Sequence, residues 1–221
     1  MAMSTAEQPQ RKDAVRNRQR ILDAAKELFA EQGLGATLHD IAARAEVGVG
    51  TIYRHFPDKQ PLIDALFERE LEGLTELFQQ ALADDDPWRS IVWVHEQILE
   101  RQALNRGLKE LLGGTPAAPE RARQIRAQLH PLAAQLIERG QAAGVVRSDC
   151  ETQDFGLLQT MVGAVMDASE DADRNLWRRY YAIAIQGLRP QGAPLERLPV
   201  PALPPERMEE LLVGQWKPRR R

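Results

Sequence analysis

Along most of this chain apolar residues recur every three or four positions, and no stretch shows the period-two alternation of a half-buried strand. In "RILDAAKELFAEQG", Ile21, Leu22, Ala25, Leu28 and Phe29 fall on one face of an amphipathic helix that Gly33 is placed to end. Thr37 then precedes "LHDIAARA" with Asp40 three positions on, a capping box with Asp in place of Glu, so a short second helix is expected. After "EVGVG", the segment "TIYRHF" is too short to hold a helix unless it packs on its neighbours. Asp58 as N-cap, with Lys59 next and Pro61 still in the first turn, opens a long helix whose Ile63, Phe67, Leu71, Leu74, Phe78 and Leu82 keep helical spacing. Some 25 residues extend roughly 37 Å, enough to leave a small N-terminal module and enter a second one. "DDDP" at 84–87 closes it.

Further helical patterns cover about 88–105, 107–112, 118–143, 151–168 and 172–188, and Pro131 is expected to kink the third of these near His130. From Arg189 onward lie seven of the chain's 14 prolines, which rules out a continued regular bundle, although "ERMEELLVG" can form one short helix. The expected fold is all-α. Its divisions are a flexible basic arm at 1–17, a small three-helix domain at 18–64, a larger helical domain at 65–188, and a Pro-rich tail at 189–221.

Composition agrees with helix: 221 residues, 43% hydrophobic, only 5% aromatic, and rich in Ala, Leu, Glu, Arg and Gln. A single cysteine, Cys150, excludes an internal disulfide or a Cys-cluster metal site and reads as a bystander. No apolar run approaches the roughly 20 residues of a membrane span, and the charged N-terminus has no apolar core behind it, so a cytoplasmic location is expected. The formal charge of −3 says nothing about nucleic acid, but its distribution does. Between Arg11 and Arg20 five basic residues face one acid, Asp13, which suits either phosphate contact or a solvated arm.

"VGVGTIYRHF" at 47–56 holds a G-x-G pair. A phosphate-cradling loop follows a buried strand and, in its P-loop form, ends in Gly-Lys-Ser/Thr; this one follows a helix and ends in Thr51 with no lysine. Three short helices with a Gly-containing turn read instead as helix-turn-helix, whose last helix enters the major groove. Catalysis has no comparable support. His39, His55, His95 and His130 are dispersed, neither H-E-x-x-H nor G-x-S-x-G occurs, and the acidic groups at 84–86 and 170–173 lack apolar walls. No cofactor or metal is expected.

The stretch "TLHDIAARAEVGVGTIYRHFPDKQPLIDAL", with Ile41-Ala42, Val47, Gly50-Thr51, Tyr53, His55-Phe56, Lys59 and Leu62, closely resembles the DNA-binding signature of the TetR family of bacterial ligand-responsive transcriptional regulators. The strong likeness covers about residues 18–66; beyond it only helix order, "AGVVRSD" and "RRYYAIAIQGLRP" look similar. The resemblance implies an all-helical homodimer with an N-terminal DNA-binding domain and a C-terminal domain for a small molecule, most often a repressor. Two positions depart from the pattern: Glu46 stands at the usual turn glycine, and Gly48 where Ser is common. These changes predict an altered turn or a left-handed Glu46, and no side-chain cap on the third helix.

Ile21, Ala25, Leu28, Phe29, Leu38, Ile41, Ala42, Val47, Ile52, Phe56 and Leu62 are read as core. Tyr53 and Lys59 match family positions that contact phosphates, and Thr37 and His55 are similarly placed, with capping or solvation as their plainer roles. Base reading falls to His39, Val49, Gly50, Thr51 and Arg54, the last equally suited to a phosphate. Double-stranded DNA carrying an inverted repeat is the expected partner of a two-fold dimer. The dimer surface is sought on the last two helices. Leu157, Leu158, Met161, Val165, Trp177, Tyr180, Tyr181, Ala184 and Leu188 supply apolar area there, and Gly156, Thr160, Gly163 and Ala164 are small; an intramolecular core explains many of them as well. A small-molecule site is sought among Trp93, Gln97, Leu108, Leu112, His130, Phe155, Gln159, Val162 and Met166, with His130 beside Pro131 foremost, for an aromatic or lipophilic effector. The alternatives are control by a protein partner docking on the tail, and activation in place of repression.

Overall fold

The computed structural model describes residues 7–113 and 118–192. Among them are nine helices: α1 (Glu7–Gln32), α2 (Leu38–Arg44), α3 (Val49–His55), α4 (Gln60–Ala83), α5 (Pro87–Leu104), α6 (Arg106–Gly113), α7 (Pro119–Ala142), α8 (Thr152–Ser169) and α9 (Leu176–Gln186). The fold is all-α. The Pro-rich tail expected from Arg189 lies, from residue 193 on, outside the described residues.

The basic stretch expected as an arm is helical from Glu7. Pro9 sits in the first turn, where its missing N–H breaks no bond, and the basic side chains nearest the domain have intramolecular partners. Arg18 lies over the Phe56 ring, 5.4 Å from its centroid, and Arg20 pairs with Glu46 at 3.0 Å. Asp58 acts one step from its expected place: its carboxylate accepts from the Gln60 N–H at 2.8 Å, while the Lys59 carbonyl takes the first helical bonds from Leu62 and Ile63. α7 passes through Pro131 as one helix. The carbonyl that proline leaves unpaired is that of Ala127, an exposed residue, so water can satisfy it.

The chain divides into two compact units, Met1–Gly73 with Leu104–Arg123, and Leu74–Ala103 with Gln124–Arg221. The first therefore holds more than the expected 18–64 domain, because α6 and the first turn of α7 pack with the N-terminal helices. Its core is Ile21, Ala25, Leu28, Phe29, Leu38, Ile41, Ala42, Ile52, Phe56 and Leu62, all buried, as their spacing predicts; Val47 is half-buried. Gly107 of α6 lies so close to α1 that a Cβ there would sit 3.0 Å from the Phe29 carbonyl oxygen. Asn105 caps α6 through Leu108 N–H, and Glu110 accepts from Leu34 N–H at 2.7 Å just past the end of α1. Arg121 of α7 bonds Asp64 at 2.6 Å with its guanidinium over Phe67.

In the second unit α5, α8 and α9 enclose Ile91, Val94, His95, Ile98, Leu99, Phe155, Leu158, Val162, Trp177 and Tyr181. Arg139 closes the C-terminal end of α4 with bonds to the Leu82 and Asp84 carbonyls, both at 2.6 Å, where the helix dipole favours a cation. Cys150 is buried, and loss of hydration pushes its thiol pKa up.

Candidate functional site

The candidate site is built from α2 and α3. Thr37 and Asp40 form the predicted capping box: the Asp40 N–H donates to Thr37 Oγ1 at 3.2 Å, and the Thr37 N–H donates to the Asp40 carboxylate at 2.9 Å. The Thr37 hydroxyl is thus engaged in the cap, the plainer of its two expected roles.

α2 ends in a Schellman turn. The Val47 N–H reaches the Ala42 carbonyl at 3.0 Å and the Glu46 N–H reaches the Ala43 carbonyl at 3.1 Å. The residue at the left-handed position is Glu46, with φ of 52°. A non-glycine residue there costs roughly 1–2 kcal/mol. The chain keeps the usual turn geometry and accepts that cost, with the Arg20 ion pair on the Glu46 side chain as a partial offset. Gly48 is the N-cap of α3 and provides no side-chain bond, as its identity requires.

α3 is anchored by Ile52, wholly buried, and followed by buried Phe56, so its opposite face is fixed toward solvent. That face carries Val49 and Tyr53, each 43% exposed, with exposed Gly50 and Arg54 and half-buried Thr51 and His55. A Cβ built on Gly50 would meet nothing within 4 Å. His39, exposed on α2, makes an edge contact with the Tyr53 ring at 6.2 Å, so His39 and Tyr53 form one continuous surface. Lys59 is half-buried and donates to the Leu34 carbonyl at 2.7 Å, a bond the sequence did not disclose; an ammonium has further N–H donors to offer.

The residues nominated for a small molecule divide. Phe155, Gln159, Val162 and Met166 are buried on one stripe of α8, and Trp93 and Gln97 are half-buried on α5, with the Gln97 amide turned to Glu100. His130 is exposed, because the proline that was expected to open space beside it lies on the solvent side of α7; it lines no interior site. Leu108 and Leu112 belong to the first unit and are core or half-buried there.

Two residues escaped the sequence reading. His95 has no exposed surface: it stacks on Phe155 with centroids 3.4 Å apart, and its Nε2 donates to the Phe155 carbonyl at 3.2 Å. Burial lowers its pKa to about 4, against a weaker opposing pull from the Phe155 and Ile91 carbonyls. Gln102, seven residues on and therefore on the same face of α5, is also buried. The spacing of His95 from Gln102 was the available signal. A surface hollow of about 720 Å³ lined by Arg147, Asp149, Gln186 and Arg189 contains none of the nominated residues.

On α8 and α9, Leu157 and Met161 are 60% and 62% exposed, Gly156, Thr160 and Ala164 are exposed, and Val165, Tyr180, Ala184 and Leu188 are half-buried. Trp177, Tyr181, Leu158 and Gly163 are buried within the chain, with the Tyr181 hydroxyl donating to the Val92 carbonyl at 3.1 Å, so these four are not surface. Ile183, 48% exposed, was not nominated.

Among the described residues there is no cluster of three or more metal-binding side chains, and no helix is long and apolar enough to cross a membrane. Residues 21–66 match the family described as bacterial regulatory proteins, tetR family, and residues 88–190 match the C-terminal domain of SbtR-like transcriptional regulators. The TetR transcription regulatory protein from Mycobacterium vanbaalenii is 32% identical over 82% of this chain and 99% of its own, with a TM-score of 0.49. A TetR transcriptional regulator from Streptomyces coelicolor is 27% identical over 79% of this chain and 99% of its own, with a TM-score of 0.54. An HTH-type transcriptional regulator of Staphylococcus aureus is 42% identical over 76 residues, 34% of this chain; the match spans 40% of that relative's length. The two matched regions together cover more than half of the sequence and place this chain in the TetR family of bacterial transcriptional regulators.

Proposed function

We propose that this protein is a homodimeric repressor that holds an inverted-repeat operator and is released from it by a small, largely apolar ligand bound in the second unit. The observation that carries the DNA side is the face of α3. Ile52 and Phe56 hold the helix from behind while Val49, Gly50, Tyr53 and Arg54 face outward. Gly50 allows close backbone approach, Thr51 offers a hydroxyl or a methyl, and Arg54 can pair with guanine or a phosphate. Tyr53, His39, His55 and Lys59 serve orientation on the backbone. One module reads few bases, so specificity requires a second copy and a two-fold axis.

The dimer surface is the exposed stripe Leu157, Thr160, Met161 and Ala164, with Val165, Tyr180, Ala184 and Leu188 at its margin. Small residues there let a partner helix approach, and the two large apolar side chains supply buried area. Release follows from differential binding: the ligand must favour a spacing of the two reading heads that misfits successive major grooves, and α4, which has residues in both units, carries the change.

Two variants test this reading. Tyr53→Phe keeps the ring and removes the hydroxyl, so it weakens binding to all duplexes alike by about 1 kcal/mol, read by fluorescence anisotropy. Met161→Glu places a charge in the dimer surface; sedimentation then shows monomer at micromolar concentration with unchanged helix content, and operator binding is lost. A Met161→Glu protein that remains dimeric contradicts the assigned surface.

A further inference from the structure

Five polar side chains are buried among the described residues, and they fall into two groups. Ser90 and Ser169 donate to carbonyls four residues back, those of Asp86 at 2.7 Å and Val165 at 2.8 Å, and are satisfied within their own helices. His95, Gln102 and Gln159 each leave one atom without a protein partner: Nδ1 of His95, Oε1 of Gln102 and Nε2 of Gln159. Native interiors pair such groups; Gln186, half-buried at the end of α9, leaves its Oε1 without a partner too, but the three buried residues are the ones that call for an explanation.

The three lie along one seam. Arg178 at the start of α9 bonds Glu100 late in α5, while Tyr181 further on bonds Val92 early in α5, so α9 runs opposite to α5. α8 and α9 pack along one another across the short 170–175 connection, so α8 runs in the same sense as α5. With His95 stacked on Phe155, one turn along α8 brings Gln159 abreast of the interval between His95 and Gln102. Phe78, Phe155 and Tyr181 supply aromatic walls: the Phe78 and Phe155 centroids are 5.9 Å apart, as are those of His95 and Tyr181.

The free atoms specify a chemistry. A carbonyl only accepts, so the 3.2 Å bond to Phe155 O holds the proton on His95 Nε2; the Ile91 carbonyl also acts on the ring but not at hydrogen-bond geometry, and Nδ1 is left as an acceptor. Gln102 presents a second acceptor and Gln159 a donor. No charged side chain is buried among the described residues, so an ionised guest would enter without a counter-charge, and an anion would also face the Nδ1 lone pair. Resting on the reading that the second unit takes a small molecule, we infer that its effector is an uncharged aromatic compound bearing a hydroxyl. That hydroxyl donates to His95 Nδ1, and Gln102 and Gln159 engage further polar positions.

The test is calorimetry on the full chain with phenol, 1-naphthol and 4-hydroxybiphenyl, each beside its parent hydrocarbon and the corresponding carboxylic acid. At least one phenol is expected to bind about tenfold or more tightly than both of its relatives. Gln159→Leu, Gln102→Leu and His95→Phe each bring that preference toward unity. Because His95→Phe can disturb packing, a second readout uses the unaltered protein. In a ¹⁵N histidine spectrum, the His95 ring, assigned by its loss in the His95→Phe variant, shifts at Nδ1 with the phenol and not with the hydrocarbon. Phenols that bind no better than hydrocarbons, a preference that survives all three substitutions, or no binding by any probe overturns the inference. A phenol that binds in this way yet leaves the protein on DNA overturns release by ligand and leaves this assignment standing. Release by the acid or the hydrocarbon alone does the reverse.

Discussion

Gly50 and His95 are positions where one substitution can separate stability from the proposed function. A glycine inside a helix costs roughly 0.5–1 kcal/mol relative to alanine, and nothing within 4 Å of Gly50 would resist a methyl group. Gly50→Ala is therefore expected to raise unfolding stability by about that amount while weakening DNA binding by about tenfold or more, because the methyl occupies the space proposed for the duplex. Chemical denaturation and anisotropy on one preparation check both halves.

His95 gives a pH signature. Its folded pKa of about 4 lies below the unfolded value near 6.5, so between those limits the unfolded chain binds a proton that the folded chain refuses. Stability from this group is intact above pH 6.5 and falls as pH drops toward 4, by about 2 kcal/mol between pH 7.5 and 5. Urea unfolding across that range is expected to show the slope, and His95→Gln to flatten it. The sequence could not disclose this residue's state. A histidine at helical spacing reads as polar, and only the stack on Phe155 reveals that it is wholly enclosed.

Helix ends were the most legible features, because their chemistry is local. The Thr37–Asp40 box and the glycine stop at Gly33, with φ of 78°, follow from four or five consecutive residues. Packing partners were not legible. Periodicity assigns Trp177 and Tyr181 to an apolar face without saying whether that face meets the same chain or another copy, and here it is the chain's own core. Likewise Pro131 signals a lost hydrogen bond but not which side of α7 bears it, and His130 went with the proline to solvent. The union of α6 with α1 depends on residues 76 apart, beyond any local pattern.

That union can be measured. Glu110→Ala leaves the Leu34 N–H without its acceptor and is expected to cost about 1–2 kcal/mol in thermal unfolding. Gly33→Ala adds a Cβ that would collide with the Glu110 carboxylate at a positive φ, and costs at least as much. Removing Glu110 relieves that clash, so the double variant is expected to be about 1 kcal/mol more stable than the sum of the single losses.

For the molecule as a whole, a family member with one solvent-facing reading helix per chain needs two copies in fixed register to specify a site. The stripe at Leu157 and Met161 is where the second copy is proposed to join. The buried polar seam of the second unit is where a ligand is proposed to alter the spacing. Composition alone was neutral on nucleic acid, since a net charge of −3 conceals the basic residues between Arg11 and Arg20. Two of these, Arg18 and Arg20, make contacts within the first unit and help hold Phe56 and the Glu46 turn beneath the reading helix.

The measurement that bears most directly on this account is selection from a randomised duplex library by the full chain at low ionic strength, followed by affinity against salt concentration. The account predicts enriched inverted repeats with half-sites about one helical turn apart, or a multiple of it, and a logarithm of affinity that falls linearly and steeply with the logarithm of salt. A protein that enriches no duplex sequence, or only solitary half-sites, contradicts it.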